Sequence, residues 1–147
     1  MTGLELIKRI AEGEAYGVTT PLITDSTGKK FGKSEGNALW LDPKKNSPFV
    51  IYQYFINTND ADIEKYFKLL TLAEFDTIEN IITKHNEAPE QRIGQEFLAH
   101  TIVQTVFGAD AARQAQLITK TLFGKEDILG QVKTWSAEDL LALHKAI

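Results

Sequence analysis

The sequence predicts a mainly α-helical chain in which a small α/β piece precedes a larger helical one. Two observations carry that expectation. The β-branched run Val18 to Thr24 and the closely spaced Gly28, Gly32 and Gly36 all fall before Asp42-Pro43, and beyond that point apolar residues recur at helical spacing almost to the end. A third observation bounds it: 147 residues with 43% apolar content suffice for one sizeable core, so a disordered chain is not expected.

Each element has a local reason. Leu4, Ile7, Ile10 and Ala11 recur at helical spacing before Gly13 and Gly17, giving a short opening helix. Val18 to Thr24 reads as a strand, closed by the turn formers Asp25-Ser26-Thr27-Gly28. A glycine-bearing loop and the strand-like fragment Leu39-Trp40-Leu41 follow. Ser47-Pro48 is a helix start, with Ser accepting from an orphan N–H and Pro preset for the first turn, and it opens Phe49 to Asn57. Asn59 or Asp60 can cap the next helix, whose face is Ile63, Tyr66, Phe67 and Leu70. A third helix carries Ile78, Ile81 and Ile82. Pro89 sits near the start of the longest helix, with Ile93, Phe97, Ile102 and Val106 as its face and Gly108 as its stop. Another spans Asp110 to Leu122, and Ser136-Ala137-Glu138-Asp139 resembles a capping box for Leu140 to Ala146. The boundary is expected near Asp42 to Ser47, dividing 1–45 from 46–147. One strand and a fragment cannot bury both faces of a sheet, so the first piece reads as the tail of a larger sheet domain.

Charge and cysteine content narrow the function. The net charge of -4 makes the whole surface a poor sink for nucleic acid or anionic lipid. From Asp25 to Lys45, however, five lysines face three acids, a local charge of +2. A polyanion must therefore bind a local patch. Without Cys there is no disulfide, thiolate metal site or Cys nucleophile, which fits a reducing, cytoplasmic setting. No apolar stretch approaches the ~18 residues of a membrane span, and the start lacks the basic and apolar regions of a signal peptide. Neither insertion nor export is expected.

The candidate chemistry lies in the basic segment. Gly28 and Gly32-Lys33-Ser34 suggest a P-loop, but only three residues intervene where four are needed, and no helix start follows to hold phosphates. His85, His100 and His144 stand far apart without the pairing of a helical metal site, and read as structural or solvent-facing. No Gly-x-Ser-x-Gly elbow occurs. Lys30-Phe31-Gly32-Lys33-Ser34 offers another reading: two lysines three apart on a glycine-bearing loop suit a triphosphate, because the loop can close on departing pyrophosphate and stabilise its growing charge. Lysine supplies a compact, reorientable cation, Gly32 unusual backbone angles, Phe31 an apolar anchor and Ser34 a hydroxyl.

That pentapeptide resembles the KMSKS signature of class I aminoacyl-tRNA synthetases, in the KFGKS form of the bacterial-type tyrosyl-tRNA synthetases. Its neighbours agree in order and spacing: Gly3 to Ile7, Pro21-Leu22-Ile23-Thr24, Trp40-Leu41-Asp42, and Ser47-Pro48 followed by Tyr52 to Asn57. Glu87-Ala88-Pro89-Glu90-Gln91-Arg92 is similar to the family's helical anticodon-side domain. As a set these motifs are specific, and tryptophanyl synthetases are not expected to combine them. The resemblance implies that residues 1–45 are the α/β tail of a Rossmann-like catalytic domain and 46–147 a helical domain against tRNA. It implies ATP-dependent activation of tyrosine and transfer to tRNA(Tyr), with ATP as substrate, magnesium accompanying it and no protein-bound metal. Lys30 and Lys33 are then catalytic, Lys30, Phe31, Gly32, Lys33 and Ser34 line the ATP site, and the complete enzyme is a homodimer.

The family's other signature, His-x-Gly-His, has no counterpart in these 147 residues, nor do the segments of the tyrosine pocket. The chain thus reads as the middle of such an enzyme. A rival expectation is a non-catalytic helical module for RNA or protein with a degenerate nucleotide loop. Near-attack positioning of two reactants can account for ~7–11 kcal/mol of a barrier. The 147 residues alone are accordingly expected to give no tyrosine-dependent ATP–pyrophosphate exchange, and measurable exchange from purified chain would mean that a complete nucleotide site lies within them.

Overall fold

The computed structural model describes residues 2–11, 13–31, 39–124, 132–133 and 135–146. The chain divides into two compact units, Met1–Phe31 and Gly32–Ile147. Among the described residues the regular structure is helical, and the one β-bridge joins Thr24 to Lys30 in antiparallel sense.

The first unit opens with α1 (Thr2–Ile10), which has Glu5 in its first turn and Lys8 and Arg9 in its last, matching the helix dipole. The strand expected over Val18 to Thr24 does not form. A strand is held by ladder bonds to a neighbour, and among the described residues none is aligned with it beyond the Thr24 bridge. Its side chains stand out accordingly, Val18 being 95% exposed. In the second unit Leu39-Trp40-Leu41 likewise pairs with no strand among the described residues, and Trp40 and Leu41 are about half exposed.

The helical part of the second unit is built around one element. Its helices are α2 (Pro48–Ile56), α3 (Asp60–Leu70), α4 (Phe75–Glu87), a 3-10 turn (Pro89–Gln91), α5 (Ile93–Phe107), α6 (Ala109–Phe123) and α7 (Ala137–Ala146). Helix α5 packs against α2, α3, α4 and α6. It is surrounded, so its apolar residues are not confined to one stripe. The expected face is corrected here: Leu98, Ala99, Ile102 and Val103 are buried, whereas Ile93 and Phe97 are half-buried and Val106 is exposed. Of the expected row Ile102 is buried as the spacing predicts, and neighbours on several sides bury Leu98, Ala99 and Val103 beside it. Leu98 ranks with Ile51, Tyr52, Ile63, Phe67 and Val103 among the largest fully buried side chains.

Caps set the boundaries. Ser47 Oγ accepts from Val50 N at 3.3 Å with Pro48 behind it, as the sequence predicts. Asn59 holds the cap position of α3 without a side-chain bond, and the neighbouring Asp60 Oδ1 accepts from Gln95 Nε2 of α5. Pro89 opens the separate 3-10 turn rather than α5, and Arg92, in the left-handed region at φ 54, divides the two. Such a conformation is costly for a side chain with a Cβ. The Arg92 guanidinium offsets part of that by donating to Ile56 O at 2.7 Å, at the end of α2. At α7 the capping box is present: Ser136 Oγ accepts from Asp139 N, and Asp139 Oδ2 accepts from Ser136 N at 3.1 Å. The Ser136 hydroxyl bond foremost, with the Arg113 guanidinium, holds the Asp139 carboxyl below the usual range.

Truncating a fully buried side chain at this axis removes contacts to several helices at once. Leu98→Ala is expected to cost about 2–5 kcal/mol, read as a lowered thermal midpoint and urea midpoint; a loss under about 0.5 kcal/mol, the size of an ordinary surface change, would contradict α5 as the axis.

Candidate functional site

The described part of the lysine segment is the end of a tight hairpin. Phe31 N donates to Ile23 O and Asp25 N to Lys29 O, both at 2.9 Å, and Gly28 N donates to Asp25 O at 3.0 Å. Gly28 takes φ +85, a conformation a side chain resists. The Asp25 carboxylate organises the turn: one oxygen accepts from Thr27 Oγ1 at 2.6 Å, Thr27 N at 3.0 Å and Lys29 N at 2.9 Å. The Thr27 hydroxyl bond is the largest influence on the Asp25 carboxyl; desolvation opposes it, and the two backbone donors and the Lys29 charge add to the lowering, so that the pKa is lowered.

The hairpin thereby fixes the backbone that delivers Lys30, whose side chain is exposed, and Phe31, which is half-buried. Gly32, Lys33 and Ser34 lie outside the described residues. Of the predicted site residues, Lys30 and Phe31 are therefore consecutive on a hairpin end held by a carboxylate. Sequence reading missed the role of Asp25, which it counted only as a turn former. The available signal was Asp-x-Thr-Gly, in which the carboxylate reaches the amide two residues on.

A second polar turn occurs in the helical unit. Asp42 Oδ1 accepts from Lys44 N at 3.0 Å, Asp42 O accepts from Lys45 N and Asn46 N, and Asn46 Oδ1 accepts from Trp40 N at 2.7 Å. Lys45 Nζ stands 3.9 Å from the centroid of the Trp40 ring. Deeper in that unit, Asp60 Oδ1 accepts from Gln95 Nε2 at 2.6 Å and meets His85 Nε2 at 3.1 Å, which ties α3 to α4 and α5. His85 is buried and His144 exposed, in keeping with structural and solvent-facing roles. Among the described residues no three His, Asp or Glu side chains come together to hold a metal ion, and no helix is long and apolar enough to cross a membrane.

Comparison with known proteins gives this geometry its context. Residues 1–124 match the family of class I tRNA synthetases for tryptophan and tyrosine. The chain belongs to that family. Its similarity runs to the tyrosine branch: it is 46% identical to the tyrosine–tRNA ligase of Streptococcus mutans and 44% identical to that of Streptococcus pneumoniae, each over 94% of this chain and 32% of the relative. The chain thus spans about a third of the length of these curated relatives. Two solved structures are similar, both of C-terminally truncated mitochondrial tyrosyl-tRNA synthetases. That from Coccidioides posadasii has a TM-score of 0.59 and 35% identity over 70% of this chain and 26% of its own. That from Aspergillus nidulans has a TM-score of 0.57 and 34% identity over 58% and 25%. These relatives are ligases, which does not favour a non-catalytic module.

The lowered pKa makes the hairpin acid-sensitive. Because the folded value lies below the unfolded ~3.9, the carboxylate's contribution is complete above that range and is lost as pH falls through the lowered value. Amide temperature coefficients of Thr27 and Lys29 are expected to be those of bonded groups at neutral pH, and to shift to solvent-exposed values in acid and in Asp25→Ala. Unchanged coefficients in the variant would remove Asp25 from the turn.

Proposed function

We propose that this chain works as part of a tyrosine–tRNA ligase, with residues 1–45 completing the catalytic domain and 46–147 forming the helical domain on the tRNA side. The single observation that carries the reading is Lys30-Phe31-Gly32-Lys33-Ser34, standing in a chain 46% identical over 94% of its length to a tyrosine–tRNA ligase.

In the reaction, the tyrosine carboxylate attacks the α-phosphorus of ATP, the bridging bond to the β-phosphate breaks, and pyrophosphate leaves with the electron pair. A terminal ribose hydroxyl of tRNA(Tyr) then attacks the tyrosyl carbonyl and AMP departs. Lys30 and Lys33 bind the β- and γ-phosphates as their charge builds, Gly32 lets the backbone come close, Ser34 donates a hydroxyl, and Phe31 packs the loop. The Asp25-bonded hairpin supports this role: a fixed base means that the loop's ordering cost falls on a few residues. ATP enters as its magnesium complex, the ion held by triphosphate oxygens. The complete enzyme is a cytoplasmic homodimer on this reading.

The test places this sequence where it matches, replacing the corresponding third of a full-length streptococcal relative. Lys33→Ala in that chimera is expected to slow tyrosyl-adenylate formation ~100-fold or more, since removing one preorganised donor to developing charge costs about 2.7–4 kcal/mol. Tyrosine affinity is expected to stay nearly constant, because the contact strengthens only as pyrophosphate leaves. An activation rate equal to that of the unmutated chimera would take the loop out of the mechanism.

A further inference from the structure

We propose that the pocket between the start of α2, α6 and α7 binds a small apolar amine, with its hydrocarbon part against Phe49, Ile118 and Leu141 and its ammonium at the Glu138 carboxylate. The pocket has a volume of about 410 Å³, within the roughly 300–1,000 Å³ of small-molecule sites. It exists because of what the facing helices carry. Helix α6 lines it with Ala111 and Ala115, one turn apart, and α7 with Ala142, so the side chains there are too short to fill the space. Helix α7 is instead held at its start, where its cap closes and Arg113 of α6 reaches Asp139 at 3.1 Å.

The lining selects the ligand. Its large side chains are apolar, and the fold does not cover all of them: Phe49 is half-buried and Leu141 is 56% exposed. A hydrocarbon seated there removes that surface from water. Ser47, Gln114 and Glu138 are the polar residues of the lining, and among the described residues Glu138 is its one charged group. Arg113, on the neighbouring turn of α6, is bonded to Asp139 and offsets that acid. The lining therefore carries a negative charge and no positive one, which favours a cation over an anion of the same shape. Its volume suits a single small molecule and not a helix about 10 Å across. None of these residues belongs to the lysine signature, so amine binding does not depend on the ligase reading.

The experiment titrates phenylbutylamine, phenylbutanol and phenylbutyrate into the 147-residue chain and into the full-length chimera, each labelled at its alanine methyl groups for NMR. The amine is expected to shift the methyl signals of Ala111, Ala115 and Ala142 saturably. Its affinity is expected to exceed that of the alcohol roughly two- to fivefold, the size of one exposed ion pair, and the acid is expected to bind more weakly than either. Glu138→Gln is expected to abolish the advantage of the amine and leave the affinity for the alcohol unchanged, a split that a folding defect would not produce. Ala142→Leu is expected to abolish binding of all three by filling the pocket. Equal affinity for the three probes overturns the proposal, as does an amine advantage that survives Glu138→Gln. Binding by the 147-residue chain but not by the folded chimera also overturns it, because the rest of the ligase then fills the pocket.

Discussion

The helical unit depends on how closely α5 can approach its neighbours, and Gly94 sets that distance. A Cβ at this position would stand 3.1 Å from His85 Cγ and 3.2 Å from Ile63 Cγ2, tighter than ordinary van der Waals contact. The missing side chain lets one turn of α5 rest against α3 and α4 together. Once that spacing is fixed, Leu98, Ala99, Ile102 and Val103 follow at helical intervals into the same interior. The close approach also creates a polar obligation, because it buries His85 and Gln95. Asp60 meets half of it by accepting from His85 Nε2 and Gln95 Nε2 at one carboxylate oxygen, while His85 Nδ1 and Gln95 Oε1 stay buried without a hydrogen-bond partner. Apolar packing and the polar triad are thus two consequences of the same contact.

The ends of α5 are controlled by different means. At its start Arg92 adopts a left-handed conformation, and the guanidinium reaches 36 residues back to the carbonyl of Ile56, the last residue of α2. Strain in one residue is thereby traded for satisfaction of a helix terminus, which would otherwise need water or a local cap. At its end Gly108 takes φ 93 and allows α6 to begin one residue later. Helix α6 returns along α5 and is pinned to it by the Lys120–Glu96 pair at 2.8 Å, and to α2 by Gln53 Nε2 donating to Thr119 Oγ1 at 2.6 Å. Burial alone would raise the Glu96 carboxyl; bonds from Lys120 and Gln116 outweigh it and leave the pKa lowered.

Which parts of this were legible in the sequence follows from how local their causes are. The α2 start at Ser47-Pro48, the α7 start at Ser136, the turn at Gly28 and the stop at Gly108 each depend on residues within a few positions, and each is where the sequence puts it. The buried face of α5, the 3-10 turn at Pro89 and the tertiary use of Asp60 depend on partners up to 36 residues away, which periodicity does not encode. Val18 to Thr24 is the opposite case. Its β-branched composition is a preference that needs a neighbouring strand to act on, and no such neighbour lies among the described residues. The lysine signature was legible as a pentapeptide, but the carboxylate that shapes its approach was visible only as a turn former.

The same device recurs on both sides of that signature in the sequence. Asp25 accepts the amide of Thr27, and Asp42 accepts the amide of Lys44, each carboxylate bonding two residues ahead and closing a turn that bears lysines. An acid placed this way has two effects of opposite sign on a polyanion. It lowers the local positive charge by one, which weakens long-range attraction that salt would screen within about 8 Å in any case. It also accepts backbone N–H groups at one carboxylate oxygen, which fixes the backbone from which the lysines extend. For a ligand held by a few short phosphate contacts the second effect outweighs the first, because the ordering cost of a loop residue, about 1–2 kcal/mol, is met in the fold rather than at binding. The two aspartates therefore account for how an acidic chain can present cations in fixed places without a strongly basic surface.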